Sequence, residues 1–295
     1  MGPPQLLGLP APAKINLFLH VLGRRSDGYH EIQSVFAPIA LWDTLDFVRR
    51  DDGQIVREGD LTGPIDADLC VRAARALQPY ANASCGVTIG VDKRIPVGAG
   101  LGGGSSDAAT TLIALQRLWK LRLSREILTE VGRTLGADVP FFLGDGAAFV
   151  EGVGERCSPV HLPAAWYLIV FPQVHVSTGE IFSDPKLTRD SKGVTIAGFS
   201  AALSDSNSTL FGVNDLEPLV RSRFAPVDEA LRLLEPLGPT RMSGSGSAVY
   251  CVRRSQAQAQ ELLPTVRQQI PAGWSAWAVS GLDELPLADW LRGSG

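Results

Sequence analysis

Residues 96–106 read Pro96-Val97-Gly98-Ala99-Gly100-Leu101-Gly102-Gly103-Gly104-Ser105-Ser106, with five glycines in the run. A helix-periodic segment follows at once. Ala108, Leu112, Leu115 and Trp119 recur at helical spacing and predict a helix over residues 105–118. Ser105 or Ser106 is the natural N-cap, and Asp107 falls in a first turn that favours negative charge. Glycine opens backbone conformations closed to other residues and lets a bulky anion approach the main chain. The helix start adds unpaired N–H groups and partial positive charge. The run therefore predicts a phosphate cradle made mostly of backbone, with the two serines offering hydroxyls. The plainer alternative is a flexible loop with a serine cap.

Two familiar phosphate motifs do not fit. The loop lacks the Gly-Lys-Ser/Thr ending of a P-loop. Gly98-x-Gly100-x-x-Gly103 matches the dinucleotide fingerprint literally. However, residues 92–96 separate it from the preceding strand, and its helix leads into another helix rather than a strand ending in an acid.

Working outward, residues 14–22 alternate, with Ile15, Leu17, Leu19 and Val21 on one face and Asn16, Phe18 and His20 on the other, which predicts a strand. Further strands are predicted at 41–48, 86–91, 147–151, 166–171, 247–252 and 274–279. Helices are predicted at 68–80, 124–135, 215–224, 227–237 and 256–268. Gly136 stands where a helix C′ glycine is expected, and Asp138-Val139-Pro140 restarts the chain. Residues 184–210, polar and poorly periodic, read as a surface excursion. Pro159 and Pro163 flank an irregular stretch, which places a domain boundary between 1–160 and 161–295. Strands and helices mix without strict alternation, so the fold class is α+β.

The chain has 295 residues, 45% hydrophobic and 20% charged, which describes a globular protein with a core. A net charge of −4, without a basic cluster, argues against nucleic acid as a partner. The four cysteines and four histidines are scattered, so no zinc or redox spacing occurs. No apolar run reaches membrane-spanning length, and a weak apolar stretch at residues 6–9 lacks the basic start of a signal peptide. The expectation is a cytoplasmic protein with reduced thiols and no membrane partner.

Three segments together resemble the GHMP kinases, the superfamily of galacto-, homoserine, mevalonate and phosphomevalonate kinases. Pro12-Ala13-Lys14-Ile15-Asn16-Leu17 resembles the first motif of that family, residues 96–106 the second, and Met242-Ser243-Gly244-Ser245-Gly246-Ser247-Ala248 the third. Gly23-Arg24-Arg25-x-Asp27-Gly28-Tyr29-His30-Glu31, the long Gly-Leu-Gly-Gly-Gly-Ser-Ser loop and Leu135-Gly136-Ala137-Asp138-Val139-Pro140-Phe141-Phe142 are similar to the branch acting on 4-diphosphocytidyl-2-C-methyl-D-erythritol. The likeness runs in order through almost the whole chain and is sparse between 184 and 240.

The resemblance implies a two-domain GHMP kinase fold, with an N-terminal domain like ribosomal protein S5 domain 2 and a ferredoxin-like C-terminal domain. It implies ATP and Mg²⁺ as cofactors and a small-molecule alcohol as acceptor, phosphorylated on its 2-hydroxyl. Lys14 and Asp138 match the family's catalytic lysine and aspartate; Asp138 could also be a plain helix cap. Tyr29 and Phe182 match positions that sandwich the cytosine ring, and His30 one that bonds the base edge. Asn16 and Thr178 match positions near the methylerythritol arm, and Gly244, Ser245 and Gly246 a phosphate or substrate wall. Pro96, Val97, Gly98, Ala99, Gly100, Leu101, Gly102, Gly103, Gly104, Ser105 and Ser106 would bind the nucleotide, with Lys93 close to adenine. Asp68 is a departure, because the family usually has asparagine there. No metal ligand is assigned, and Ser106 is the possible contact. Homoserine or phosphomevalonate as acceptor is the alternative, and Tyr29-His30 is the feature that separates them. A nucleotide-binding protein without turnover and an NAD-dependent dehydrogenase are more distant readings.

Overall fold

The computed structural model describes residues 2–61, 63–204 and 210–292. Two long antiparallel strands, β1 (Gln5–Arg24) and β2 (His30–Arg50), open the chain. β3 (Ile55–Gly59), β4 (Gly86–Asp92), β5 (Ala148–Gly152) and β6 (Arg156–Pro159) complete the first sheet in the order β3-β4-β2-β5-β6, with β1 also on β2. The edge of β2 away from β1 is divided. Residues 44–50 pair with β4 and residues 32–36 with β5. The stretch between them contains Asp43, whose carboxylate faces the start of the glycine loop.

Helices α1 (Leu69–Leu77), α2 (Gly103–Leu118), α3 (Arg125–Leu135) and α4 (Val139–Phe142) pack on this sheet through a core that includes Phe47, Leu77, Ile89, Leu112, Leu128 and Phe141. The second sheet is wholly antiparallel. It comprises β7 (Trp166–Phe171), β8 (Thr240–Met242), β9 (Val249–Arg253) and β10 (Ser275–Ser280), ordered β10-β7-β9-β8. Between β7 and β8 run α5 (Thr178–Ser183), α6 (Ile196–Ser204), α7 (Glu217–Arg223) and α8 (Ala225–Leu234). Helix α9 (Gln256–Gln269) links β9 to β10, and α10 (Ala288–Arg292) returns to the first core.

A third apolar cluster joins the sheets. Ala13, Ile15, Leu17, Phe18 and Phe149 meet Ile169, Tyr250 and Val279 there. Each fully buried large side chain of this kind contributes about 1.5–3 kcal/mol. The Tyr250 hydroxyl finds its partner in the carbonyl of Asn16, 2.9 Å away, so the seam is fixed by direction as well as area.

Most predicted elements lie where periodicity put them. β1 departs from its simple alternation, because its register shifts between Asn16 and Leu19. Ile15, Leu17 and Phe18 therefore enter the seam together, while Leu19 and Val21 join the core of the second sheet. Helix α2 begins at Gly103, and its N-cap is Gly102 at φ 74°, not a serine. Asp107 thus lies beyond the first turn, and burial rather than the helix dipole sets its role. Gly136 closes α3 in an extended conformation, φ 176°, rather than the left-handed C′ form. The surface excursion at 184–210 contains α6, whose Phe199 is fully buried, and its residues 205–209 lie outside the described part. β3, β6 and β8 are too short to announce themselves by alternation.

Candidate active site

The glycine loop is held on two sides. The Lys14 amide donates to Leu101 O at 2.9 Å, which ties the loop to β1. From the other sheet, the Ala248 amide donates to Ala99 O at 3.0 Å and the Ser243 hydroxyl to Gly100 O at 2.9 Å. Gly98, Gly100 and Gly102 have φ of 68°, 73° and 74°, alternating along the loop. At Gly100 a Cβ would lie 2.2 Å from the Ser243 carbonyl oxygen, and at Gly102 3.0 Å from the Phe142 ring and 3.1 Å from Lys14 Cγ. Glycine is required at these two positions by space as well as conformation.

Two cavities open on either side of this loop. One, of about 360 Å³, is lined by the loop, Arg57, Asp68, Lys93, Ser105 and Asp107. The other, of about 620 Å³, is lined by Lys14, Asn16, Tyr29, His30, Asp138 and Phe182 among others. Gly98, Gly100 and Gly102 border both.

Beside that shared border, Lys14 Nζ lies 3.3 Å from Asp138 Oδ2 and donates to Asn16 Oδ1 at 2.6 Å. Its ammonium sits 4.4 Å from the centre of the Phe36 ring. The Lys14 side chain is 5% exposed and that of Asp138 29%. The lysine is therefore fixed from three directions while the carboxylate still reaches the cavity. Asp138 stands at the N-cap of α4, yet its side chain caps nothing. A fixed cation and an accessible carboxylate, next to oriented backbone amides, can stabilise phosphoryl charge and accept a proton. Asn16 is oriented in turn, since its Nδ2 donates to the Ser34 hydroxyl at 2.9 Å.

Along the larger cavity, Tyr29 is 65% exposed on the turn before β2. His30 is buried, with its ring 5.1 Å from that of Phe182. Burial, and then the nearby Arg189 and Arg24 cations, lower the His30 pKa below its ordinary value. Thr178 Oγ1 lies 2.7 Å from Ser245 Oγ, so α5 and the Gly244–Gly246 turn form one wall. Asn214 holds this turn by donating to Met242 O at 2.9 Å and Gly244 O at 2.8 Å.

In the smaller cavity, Pro96–Gly104 and Ser105 line the wall, while Ser106 is fully buried behind it with a hydroxyl lacking any partner. Lys93 directs its ammonium at two carboxylates, 2.5 Å from Asp43 Oδ2 and 2.7 Å from Asp107 Oδ2. Asp43 Oδ1 also accepts the amides of Arg94 and Ile95, at 2.6 and 2.8 Å. Burial, the dominant cause, together with the Asp43 charge, pushes the Asp107 carboxyl up to about 7 despite the Lys93 ammonium. Asp68 caps α1 through Oδ1, which accepts the amides of Cys70 and Val71, and its Oδ2 receives Arg57 Nε at 3.0 Å. Aspartate at this position thus serves a helix end and neutralises a buried guanidinium, a role its residue type alone did not signal.

Sequence reasoning missed Arg189, Asn214, Asp43 and Asp107 as parts of the site. Asn214-Asp215 preceding a helix and Asp43 within a strand were visible polar interruptions; Arg189, in an aperiodic stretch, carried no signal. Among the described residues no group of three or more His, Cys, Asp or Glu side chains could hold a metal, and no helix is long and apolar enough to cross a membrane.

Comparison with known proteins places this geometry in a family. The family profiles "GHMP kinases N terminal domain" and "GHMP kinases C terminal" match residues 68–146 and 196–272. A 4-diphosphocytidyl-2-C-methyl-D-erythritol kinase of Burkholderia thailandensis is 50% identical over 281 residues, covering 94% of each chain. That of Burkholderia multivorans is 49% identical over 280 residues with the same coverage. A crystal structure of 4-(cytidine 5'-diphospho)-2C-methyl-D-erythritol kinase superposes with TM-score 0.79 at 36% identity, over 94% of this chain and 99% of that one. A mevalonate kinase structure, at 15% identity and TM-score 0.68, shares the fold over 95% of this chain and 100% of its own. The two-sheet α+β architecture is therefore the two-domain GHMP kinase fold, and the chain belongs to the 4-diphosphocytidyl-2-C-methyl-D-erythritol kinase family.

Proposed function

We propose that the protein transfers the γ-phosphoryl group of ATP to the 2-hydroxyl of 4-diphosphocytidyl-2-C-methyl-D-erythritol, a step of the non-mevalonate route to isoprenoid precursors. The observation that carries this reading is the Lys14–Asp138 pair, 3.3 Å apart, at the border shared by two cavities. The smaller cavity takes the nucleotide, with its phosphates on the alternating glycines and the start of α2. The larger takes the acceptor, its base between Tyr29 and Phe182 with His30 on the edge, and its polyol arm against Asn16, Thr178 and the Gly244–Gly246 turn.

Phosphoryl transfer asks chiefly for alignment and charge stabilisation. Asp138 accepts the proton of the attacking hydroxyl as the bond to phosphorus forms. Lys14, held by Asn16 and Phe36, offsets the negative charge gathering on the transferred group. Asp43 and Lys93 fix the loop's first residues, and Asp68 holds the α1 end of the nucleotide cavity.

Mg²⁺ usually enters such sites on the nucleotide and needs only one or two protein oxygens. The absence of a three-ligand cluster among the described residues, with an unpartnered Ser106 hydroxyl behind the loop and Asp138 beside it, fits such a nucleotide-borne ion. When bound, the ion would neutralise charge on the β- and γ-phosphates. We place the division between the two domains at residue 160, between β6 and β7, and the protein in the cytoplasm, where its four free cysteines would stay reduced.

The test is a panel of ATP with the cytidyl substrate, homoserine and phosphomevalonate. Phosphorylation of the cytidyl substrate is expected. Turnover of homoserine alone would overturn the assignment.

A further inference from the structure

The base slot contains a side chain that the reading above leaves without a role. Arg189 donates from Nε to His30 Nε2 at 2.9 Å. Three more of its five N–H donors go to backbone carbonyls: Leu187 O at 3.1 Å, Phe182 O at 2.8 Å and Asp184 O at 2.7 Å. One guanidinium thereby ties the segment bearing Phe182 to the imidazole opposite. His30 comes from β2 in the first sheet and Phe182 from α5 beside the second, so this contact also spans the two halves of the slot.

The chemistry of the contact is directional. A guanidinium can only donate, so the imidazole nitrogen it meets must carry a lone pair. In a neutral imidazole the single proton is then on Nδ1. A doubly protonated His30 would set an N–H against an N–H, and the lowered pKa agrees with a neutral ring. Arg189 takes up Nε2, so Nδ1 is the nitrogen through which the His30 ring can meet a ligand in the larger cavity it lines. The ring therefore offers the cavity one N–H donor.

We propose that Arg189 is a positioning residue for base recognition: it locks His30 as the Nδ1–H tautomer, so that the slot selects a pyrimidine whose ring nitrogen is an acceptor, cytosine, against uracil, whose N3 carries a hydrogen. This rests on the functional reading above for the identity of the ligand, but the tautomer itself does not. A site built to donate rejects a partner that also donates, because both hydrogens are left unpaired in a dry slot.

The experiment has two arms. Nitrogen NMR shifts of His30 in the free protein report which ring nitrogen carries the proton. The wild type is expected to show Nδ1–H alone, and Arg189→Met a mixture containing Nε2–H. In the second arm, kcat/KM is compared for the cytidyl substrate and its uridyl analogue. The wild type is expected to prefer the cytidyl compound by at least about 100-fold, and Arg189→Met to bring the preference within about tenfold. The loss is expected to fall on KM more than on kcat, since Arg189 is remote from the transferred group. Nε2–H in the wild type, or a tautomer unchanged by the substitution, overturns the proposal without reference to activity. Equal use of both bases by the wild type overturns its specificity half. A wild type inactive on the cytidyl substrate would instead remove the functional reading and leave the tautomer result to stand or fall alone.

Discussion

Gly100→Ala tests whether the glycine loop and the Ser243–Ser247 turn work as one rigid body. The added Cβ would lie 2.2 Å from the Ser243 carbonyl oxygen and 3.1 Å from both N and O of Gly246, all backbone atoms that cannot rotate away. An ordinary contact begins near 3.4 Å, so loop and turn must part by more than an ångström. Three bonds stand in the path of that movement: Ser243 Oγ to Gly100 O, the Asn16 amide to Ser243 Oγ, and the Ala248 amide to Ala99 O. Holding alanine at φ near 73° adds about 1–2 kcal/mol, and forcing the methyl into a packed contact about 1–3 kcal/mol. The sum is smaller than the usual total stability of about 5–15 kcal/mol, so the variant folds, with a melting temperature lowered by several degrees. Its larger effect is on catalysis, because a displacement of about 1 Å at a reacting centre can cost about 100-fold. The assay pairs a thermal melt with steady-state kinetics in ATP and the acceptor. Gly104→Ala is the stability control: its nearest non-local neighbour is Leu69 Cδ1 at 3.4 Å and it lies in α2. Alanine there should leave the melting temperature unchanged or raise it. If Gly100→Ala melts and turns over like the wild type, the loop and turn are not mutually braced and the reasoning fails.

Lys14→Met and Asp138→Asn should each cut kcat by at least about 100-fold while leaving the melting temperature close to wild type for Asp138→Asn; normal turnover in either variant removes that residue from the mechanism. Asp107 has its carboxyl raised to about 7 by burial. The folded state then binds a proton that the unfolded chain has already released, so the wild type should lose stability as pH rises from about 4 to about 7. Asp107→Asn should flatten that slope, which melts at several pH values will show; an identical slope would count against the shift. Asp68→Ala should destabilise by about 3–5 kcal/mol, because it strands the buried Arg57 and removes a helix cap. Asp68→Asn keeps the cap and should lose clearly less in chemical denaturation; equal losses would show that the cap is of no consequence and that the ion pair accounts for the whole effect.

The sequence was most legible where chemistry and local geometry coincide. The glycine run announced a backbone site because few other functions need so many unhindered amides before a helix. Long strands and amphipathic helices followed from their periods. What stayed hidden depended on partners far along the chain. Asp107 looked like a first-turn acid, yet its fate is set by burial, beside Lys93 and Asp43 from another loop and strand. His30 carried a recognisable position, but the residue that orients it lies at 189, in a stretch without pattern. The bulge in β1 was also unreadable, since a register shift between Asn16 and Leu19 leaves composition unchanged and only re-aims side chains. Asp68 shows the limit from the other side: a residue noted for what it lacked turned out to be occupied by structure.

Because Gly98, Gly100 and Gly102 form a partition with a cavity on each face, the chain cannot retouch one chamber there without altering its neighbour. If the two chambers take nucleotide and acceptor as proposed, the two affinities are inherited together at these positions, and mutational drift in one must be answered from the outer walls. Small molecules long enough to straddle the partition would meet both chambers at once, and a change in these glycines that shut out such a compound would also disable the enzyme.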